Sequence, residues 1–578
     1  MIETRFGERL KSISIRGFQS LEKTTTIEFR PITLLYGPNS AGKSAVVDAL
    51  ELAKSILTLD GAAAAFQLEK WWRVDPKTKK YASSLLISLE AYLPWHFYKP
   101  SNFLENSEVL SILFQYLEVR GAGPNQLTVT VDIEYFESPF DSISGPRLTY
   151  RIEGIQIFRY DPREWCARVN TKHPAFGSND GIKDFFSAME GQVAGGSESR
   201  LNLFSIEPDG WVSFGVSATQ PPPDDGSLDE IFSDTVFYPN DIGMGPLYGI
   251  LNSNEIGLAH VFKVLVCLFC QDINSAIGKM EGFYRDAPNR PIPRPEDLVF
   301  AINAPRSGNG GIFSVISKKI QCGIDFLPYQ SLARSLHLSS VHRAENSLRL
   351  TDGRDEKPFP RYLNGAVLAD GDGISLVELV NHYLRDHLFL DNGYQVAGDS
   401  VFFKDLKESL TKSDSYEIAD VYYFPAIVQI YLIDQFGRRQ DIEDVGSGIA
   451  HVLPFLIAFF DSPLLSLQQP ELHLHPAAQS ALGDVMLEAA NRGNYLLIET
   501  HSEHLLLRIL KRMRNAAKGE IKVGSISVSS EQLAVYYFNP DINGSTVVRR
   551  LRVGPDGEFM DRWPRGFFTE RDEDLWDE

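Results

Sequence analysis

Hydrophobic and polar positions follow two periods along this chain. Ser12-Ile13-Ser14-Ile15-Arg16 and Thr26-Ile27-Glu28-Phe29 alternate, which predicts two half-buried strands around a turn at Gly17-Phe18-Gln19-Ser20. Pro31-Ile32-Thr33-Leu34-Leu35-Tyr36 is apolar almost without interruption, the pattern of a strand covered on both faces. After Ser44 the run AVVDALELA takes helical spacing. From residue 83 to 160, SLLISLEAYL, QLTVTVDIEYF and RLTYRIEGIQIFRY alternate again and predict an antiparallel β-subdomain.

Farther on, Asn254 to Arg285 has the length and apolar spacing of a helix, set between proline-rich connections at Gln220–Gly226 and Asp286–Pro295. Prolines recur between residues 100 and 360, so this region is a globular insert and not a long coiled coil. SLVELVNHYLRDHL reads as a helix. AIVQIYLI reads as a strand and IAHVLPFLIAFF as an apolar helix. The longest apolar run, Val452 to Phe460, contains Pro454 and stops at Asp461, too short to span a bilayer.

Composition adds limits. A chain of 578 residues with 43% hydrophobic and 23% charged residues has room for two or three domains and a sizeable core. A net charge of −20 opposes indiscriminate nucleic-acid binding. The four cysteines are too few for a disulfide scaffold, and Cys267 and Cys270 lie in an apolar helical run as buried thiols. The charged start MIETRFGERLKS has no apolar signal core, so a reducing cytoplasm without membrane attachment is expected.

The strongest chemical signal stands between the apolar strand and the helix: Gly37-Pro38-Asn39-Ser40-Ala41-Gly42-Lys43-Ser44. This spacing is that of a phosphate loop. Gly37, Asn39, Ser40 and Gly42 shape backbone that wraps phosphate, Lys43 reaches the β/γ-phosphates, and the Ser44 hydroxyl faces Mg²⁺. ATP and Mg²⁺ are the implied cofactors.

Three features far downstream suit the same chemistry. Asp444-Val445-Gly446-Ser447-Gly448 precedes an apolar helix, so Ser447 and Gly448 form a second anion-binding end. The strand Pro463–Leu467 runs into Gln468-Gln469-Pro470-Glu471-Leu472-His473-Leu474-His475-Pro476, where strand-end acids ordinarily hold Mg²⁺ and orient water. Tyr495–Thr500 is a further buried strand that ends at His501, placed to meet a γ-phosphate. His473 and His475 with Glu471 also invite a zinc reading, weighed against a structural role.

The set GPNSAGKS, DVGSGIAHVLP, LLSLQQPELHLHP and LLIETHSEHLLLRI resembles the ABC-class ATPase heads of the SMC, RecF and OLD group. PELHLHP and ETHSEHL are nearest to the OLD-like wording, and the segment Asp561–Phe568 resembles a short closing domain of such proteins. The resemblance implies an α/β ABC-type head assembled from both ends of the chain. Its halves would be residues 1–160, with the β-subdomain, and 421–545; residues 161–420 would be a largely helical globular insert and 546–578 a tail. It also implies a head-to-head dimer in which Gly37–Ser44 of one copy and Ser447 and Gly448 of the other hold each ATP, with His501 as the switch histidine.

The acid pair of that family reads Gln468-Gln469 here. A glutamine carbonyl still bonds a metal-bound water, so Gln468 joins Ser44 as a metal-shell residue, but Gln469 is no proton acceptor. Hydrolysis is therefore expected to be slow unless Glu471 serves as base. The short stretch after His501 carries no acidic nuclease cluster, so the resemblance points to a separate effector nuclease, as with PtuA-type ATPases of Septu and retron-associated anti-phage systems. An HNH-type nuclease, a retron nucleic acid and a reverse transcriptase are the partners it leaves open. Two alternatives remain: a RecF-like DNA-repair ATPase, motivated by Lys511-Arg512-Met513-Arg514 and Arg549-Arg550-Leu551-Arg552, and an ATP-locked scaffold that never cycles.

Overall fold

The structure, a computed structural model, describes residues 9–57, 68–94, 126–136, 146–161, 166–170, 172–173, 204–206, 210–215, 282–284, 299–302, 332–333, 335–336, 375–390, 393–402, 426–461, 464–519, 529–562 and 564. The chain divides into two units. The first holds residues 1–30, 36–280 and 536–550, and the second 31–35, 281–535 and 551–578, so the division passes through three strands.

The first ten strands are β1 (Arg9–Arg16), β2 (Thr25–Glu28), β3 (Ile32–Tyr36), β4 (Ser84–Pro94), β5 (Gln126–Phe136), β6 (Arg147–Ile152), β7 (Ile155–Asp161), β8 (Cys166–Asn170), β9 (Phe204–Ile206) and β10 (Trp211–Gly215). All but β3 form one antiparallel sheet of order β2-β1-β4-β5-β6-β7-β8-β10-β9 in the first unit. The alternation in the sequence explains its two faces. Leu85, Ile87, Leu89 and Ala91 of β4 and Val129, Val131, Ile133 and Tyr135 of β5 are buried, with Ile87 opposite Ile133 and Leu89 opposite Val131. Intervening positions carry cross-strand charge pairs: Lys11 with Glu90 at 2.9 Å, Arg16 with Glu134 at 3.1 Å, and Arg151 with Asp132. The sheet thus extends past residue 160, into what the sequence assigns to the insert.

The later strands are β11 (Gly282–Tyr284), β12 (Val299–Ile302), β13 (Gln395–Phe402), β14 (Ala426–Ile433), β15 (Arg439–Gln440), β16 (Leu464–Gln468), β17 (Tyr495–Glu499), β18 (Leu533–Pro540) and β19 (Thr546–Leu551). A second sheet has the order β11-β16-β17-β3-β18-β19. Its parallel part is in register through Leu465 with Leu496 and Ile498 with Leu34. Every residue of β3 and β17 is buried, so neither strand shows alternation. β12, β14 and β13 make a third, antiparallel sheet that β15 joins at β14.

The helices that matter are α1 (Ser44–Leu57), α2 (Leu376–Tyr383), α3 (Ser447–Asp461), α4 (Pro476–Asn491) and α5 (Glu503–Ala517). Every residue from Val452 to Phe460 of α3 is buried, and Pro454 lies within the helix instead of ending it. Among the described residues no helix is long and apolar enough to cross a membrane.

Most of the expected helix Asn254–Arg285 lies outside the described residues, but Gly282–Tyr284 corrects its end: these three form β11, parallel to β16. The proline-rich connections and the Cys267–Cys270 pair lie outside them too, as do most of residues 161–420; what is described there is chiefly strands β8 to β13, helical residues at 332–333 and 335–336, and α2 with the turn that follows it.

Candidate nucleotide-binding site

β3 ends at Tyr36 and α1 begins at Ser44, so the glycine-rich loop is the strand-to-helix turn that a phosphate loop requires. Gly37 (φ 148°), Ser40 (φ 60°) and Gly42 (φ 88°) take left-handed backbone. Two of these positions admit only glycine for a second reason. A Cβ on Gly37 would lie 2.3 Å from the Phe538 carbonyl oxygen, and one on Gly42 would lie 2.1 Å from Ser20 Oγ and 2.7 Å from Thr546 Oγ1. Thr546 braces the loop by donating to the Ala41 carbonyl at 2.8 Å, with Ser20 Oγ 2.7 Å away. Lys43 is buried and its Nζ donates to the carbonyls of Gly37 and Pro38, each at 3.0 Å, so the cation is held over the loop, while Asn39 and Ser40 are exposed. Gln19, itself left-handed at φ 46°, donates to Asp48 of α1 at 2.6 Å.

The other candidates belong to the second unit, where strand ends gather them. Gln468 and Glu499 close the paired strands β16 and β17 in register, and Gln468 Nε2 donates to Glu499 Oε2 at 3.0 Å. Gln469 turns the chain at φ 46°, its N–H bonded to the Glu499 carbonyl at 2.8 Å. Glu471 follows, 6% exposed, and its Oε1 accepts the main-chain N–H of His501 at 2.8 Å. Its Oε2 is buried with no hydrogen-bond partner among the described residues. Burial pushes this carboxyl above its ordinary value, and the His501 amide and the Thr500 hydroxyl beside it pull the other way without cancelling that effect.

Ser447 and Gly448 open α3 against the same loop: a Cβ on Gly448 would meet the His473 carbonyl oxygen at 2.8 Å. The neighbouring histidines have structural work. His451 Nδ1 lies 2.6 Å from the Ser447 carbonyl oxygen and its ring packs 4.9 Å from that of His473, while His475 caps α4 by accepting from Ala477 N at 3.3 Å. Ser502 caps α5 through Leu505 N at 3.1 Å, which fixes the chain just after His501.

The structure therefore brings Gln469, Glu471, His501, Ser447 and Gly448 around one loop, with Gln468 at its start. Sequence reasoning missed Glu499, although both strands end at matching positions before a polar turn, and it missed Ser20 and Thr546, which only the fold brings to Gly42. The basic stretches are largely occupied within the chain. Arg512 and Arg508 both grip Asp484, at 2.7 and 2.6 Å, Arg514 pairs with Glu558 at 2.5 Å, Arg550 with Glu28 at 2.6 Å, and Arg552 with Asp561 at 2.7 Å.

Comparison with known families gives two matches on the blocks that carry these motifs. Residues 12–58 match an AAA domain, and residues 325–508 match the family described as "AAA domain, putative AbiEii toxin, Type IV TA system". The chromosome partition proteins Smc of Mycolicibacterium paratuberculosis and Mycobacterium leprae are each 55% identical over 42 residues, which is 7% of this chain and only 4% of theirs. Among solved structures, the SMC head domain from Thermotoga maritima aligns with 94% of this chain and 100% of its own, at 10% identity and a TM-score of 0.32. The Smc head of Pyrococcus furiosus, bound to the C-terminal domain of ScpA, aligns with 94% of this chain and 96% of its own, at 10% identity and a TM-score of 0.35. Two AAA-domain models thus match this chain on the blocks that hold the glycine-rich loop and the strand-end residues, and the sheets that carry them are of mixed α/β type.

Proposed function

We propose that this chain is a nucleotide-gated switch: its ATPase head binds ATP with Mg²⁺, closes as a head-to-head dimer, and in that state restrains a separate effector nuclease in bacterial anti-phage defence. The observation that carries the reading is a fully formed phosphate loop in a chain whose strand-end pair is two carboxamides. The left-handed loop and its buried lysine fit a triphosphate. Lys43 would meet the β/γ-phosphates, with Gly37, Asn39, Ser40 and Gly42 around them. Ser44 and the Gln468 carbonyl would face the Mg²⁺ shell, and Ser447 and Gly448 of a second copy would close the site. The metal would neutralise charge on the phosphates.

Gln469 holds no proton acceptor, so turnover rests on Glu471, whose Oε1 is anchored and whose Oε2 is unengaged among the described residues. His501 is tied to that same carboxylate by its main chain, which supports a sensor of the γ-phosphate. Binding is thus expected to outlast hydrolysis.

Intact-mass measurement of the full chain purified from its host tests the reading. With ATP and Mg²⁺ it is expected as a dimer with a companion nuclease, and Lys43→Ala is expected to lose the nucleotide and the dimer together. A chain that runs alone in every nucleotide state would sink it. Against the RecF-like alternative, Arg512, Arg514, Arg550 and Arg552 are each in an ion pair; DNA-stimulated turnover would favour it. Any measurable turnover removes the non-cycling scaffold.

A further inference from the structure

Helix α2 does not stop cleanly at Tyr383. It continues as one wide turn, Leu384–Leu388, in which the N–H of Phe389 reaches back five residues to the Leu384 carbonyl at 3.1 Å. In a regular helix, residues five apart point about 140° away from each other. The wide turn instead brings His382 and His387 together, their Nε2 atoms 3.2 Å apart and their rings 4.8 Å apart at 78°.

The protonation of the pair follows from its neighbours. His382 Nδ1 lies 3.0 Å from Asp386 Oδ2, and Arg385 grips the same carboxylate at 2.6 and 2.7 Å. A carboxylate held by an arginine only accepts, so His382 Nδ1 carries the proton between them. With the proton on Nδ1, Nε2 is the ring's lone-pair nitrogen, and it lies 3.2 Å from His387 Nε2.

From this geometry we infer a transition-metal site at His382 and His387, with Asp386 orienting the first ligand. Two Zn–N bonds of about 2.0–2.1 Å at a tetrahedral angle set their nitrogens about 3.3 Å apart, which is the spacing found here. The carboxylate–histidine pair is the arrangement that fixes a metal-binding tautomer. Two imidazoles without a thiolate select Zn²⁺, Ni²⁺ or Cu²⁺ over Mg²⁺. Among the described residues no three His, Cys, Asp or Glu side chains are placed to hold a metal ion together, so in this proposal the two imidazoles are the protein ligands and water takes the other positions. His382 is half exposed, which leaves room for that water. The nearby charges are balanced: Glu488 pairs with Arg492, and Asp484 with Arg508 and Arg512.

The test uses the full, tag-free chain stripped with EDTA, without nucleotide, titrated with Zn²⁺ against a chromophoric chelator. A Zn²⁺ site is expected that is lost in His382→Gln and in His387→Gln and weakened about 10–100-fold in Asp386→Asn. Equal affinity in the wild type and both histidine variants would overturn the proposal, as would no wild-type binding at millimolar Zn²⁺. If a variant fails to fold, Cu²⁺ EPR of the wild type decides independently. Two coordinated imidazole nitrogens support the site, and fewer than two refute it.

Discussion

Replacing Glu471 by glutamine exchanges one oxygen for an amide group and separates two roles that the carboxyl group combines. Oε1 accepts the His501 N–H at 2.8 Å, and a glutamine carbonyl oxygen keeps that bond. The charge is lost, and with it the proton acceptor of the turn after β16 that Gln468 and Gln469 cannot replace. Removing a general base costs about 10²–10⁴ in rate, so Glu471→Gln is expected to turn over ATP at least a hundredfold more slowly while binding it as before. Glu471→Ala goes further, because it leaves the His501 amide without its charged acceptor at a cost of about 1.5–3 kcal/mol. That difference is expected as a lower melting temperature for Ala than for Gln. The pH profile follows from the raised carboxyl: the base works only when ionised, so wild-type turnover should fall on acidification at a higher pH than an ordinary glutamate would impose. Single-turnover hydrolysis with separately measured nucleotide affinity is the assay. Wild-type turnover in Glu471→Gln would refute the base assignment and leave Glu471 only the anchoring of His501.

Other outcomes follow from the same contacts. Gly42→Ala drives a Cβ to 2.1 Å from Ser20 Oγ on left-handed backbone, so calorimetry should show ATP affinity at least tenfold weaker, a cost of about 1–3 kcal/mol. Gln468→Glu would set a second carboxylate against Glu499 Oε2, 3.0 Å away in the native pair, and lower the melting temperature; adding Glu499→Gln should restore it. Asp484→Ala strands Arg508 and Arg512, each about a third exposed, and should destabilise by about 2–4 kcal/mol in chemical denaturation. The two arginines hold the Asp484 carboxyl below its ordinary value, against burial. Its contribution is therefore complete above the pH where an unfolded carboxylate ionises and is lost as pH falls through the lower folded value, a dependence the variant should lack.

Local chemistry made the loop legible: glycine spacing, a lysine and a serine between an apolar strand and a helix identify Gly37–Ser44 without tertiary information. Alternation did the same for β1, β2 and β4 to β7. What stayed hidden depends on pairing across long separations. Nothing local in Gln468 points to Glu499, because their contact exists only once β16 and β17 lie parallel and in register. The partners of the basic stretches stay hidden for a related reason, since Asp484, Glu558, Glu28 and Asp561 lie far from the arginines they pair with or in another element. Gly282–Tyr284 also defeated periodicity: three residues continue a helical pattern as readily as they add an edge to β16.

The placement of β3 has a consequence for how the protein is made. Ile32 emerges early from the ribosome, yet its parallel partner is Leu496, so the strand that leads into the phosphate loop has no neighbour on that side until most of the chain has been translated. At roughly 5–20 residues per second the wait is on the order of half a minute or more. During that interval Ile32, Leu34 and Leu35, fully buried at the end, are candidates for capture by chaperones or by a second nascent chain. Slowing translation between the two halves should therefore lower the soluble yield, whereas the alternating hairpins β4 to β7, whose partners are sequential neighbours, should tolerate it.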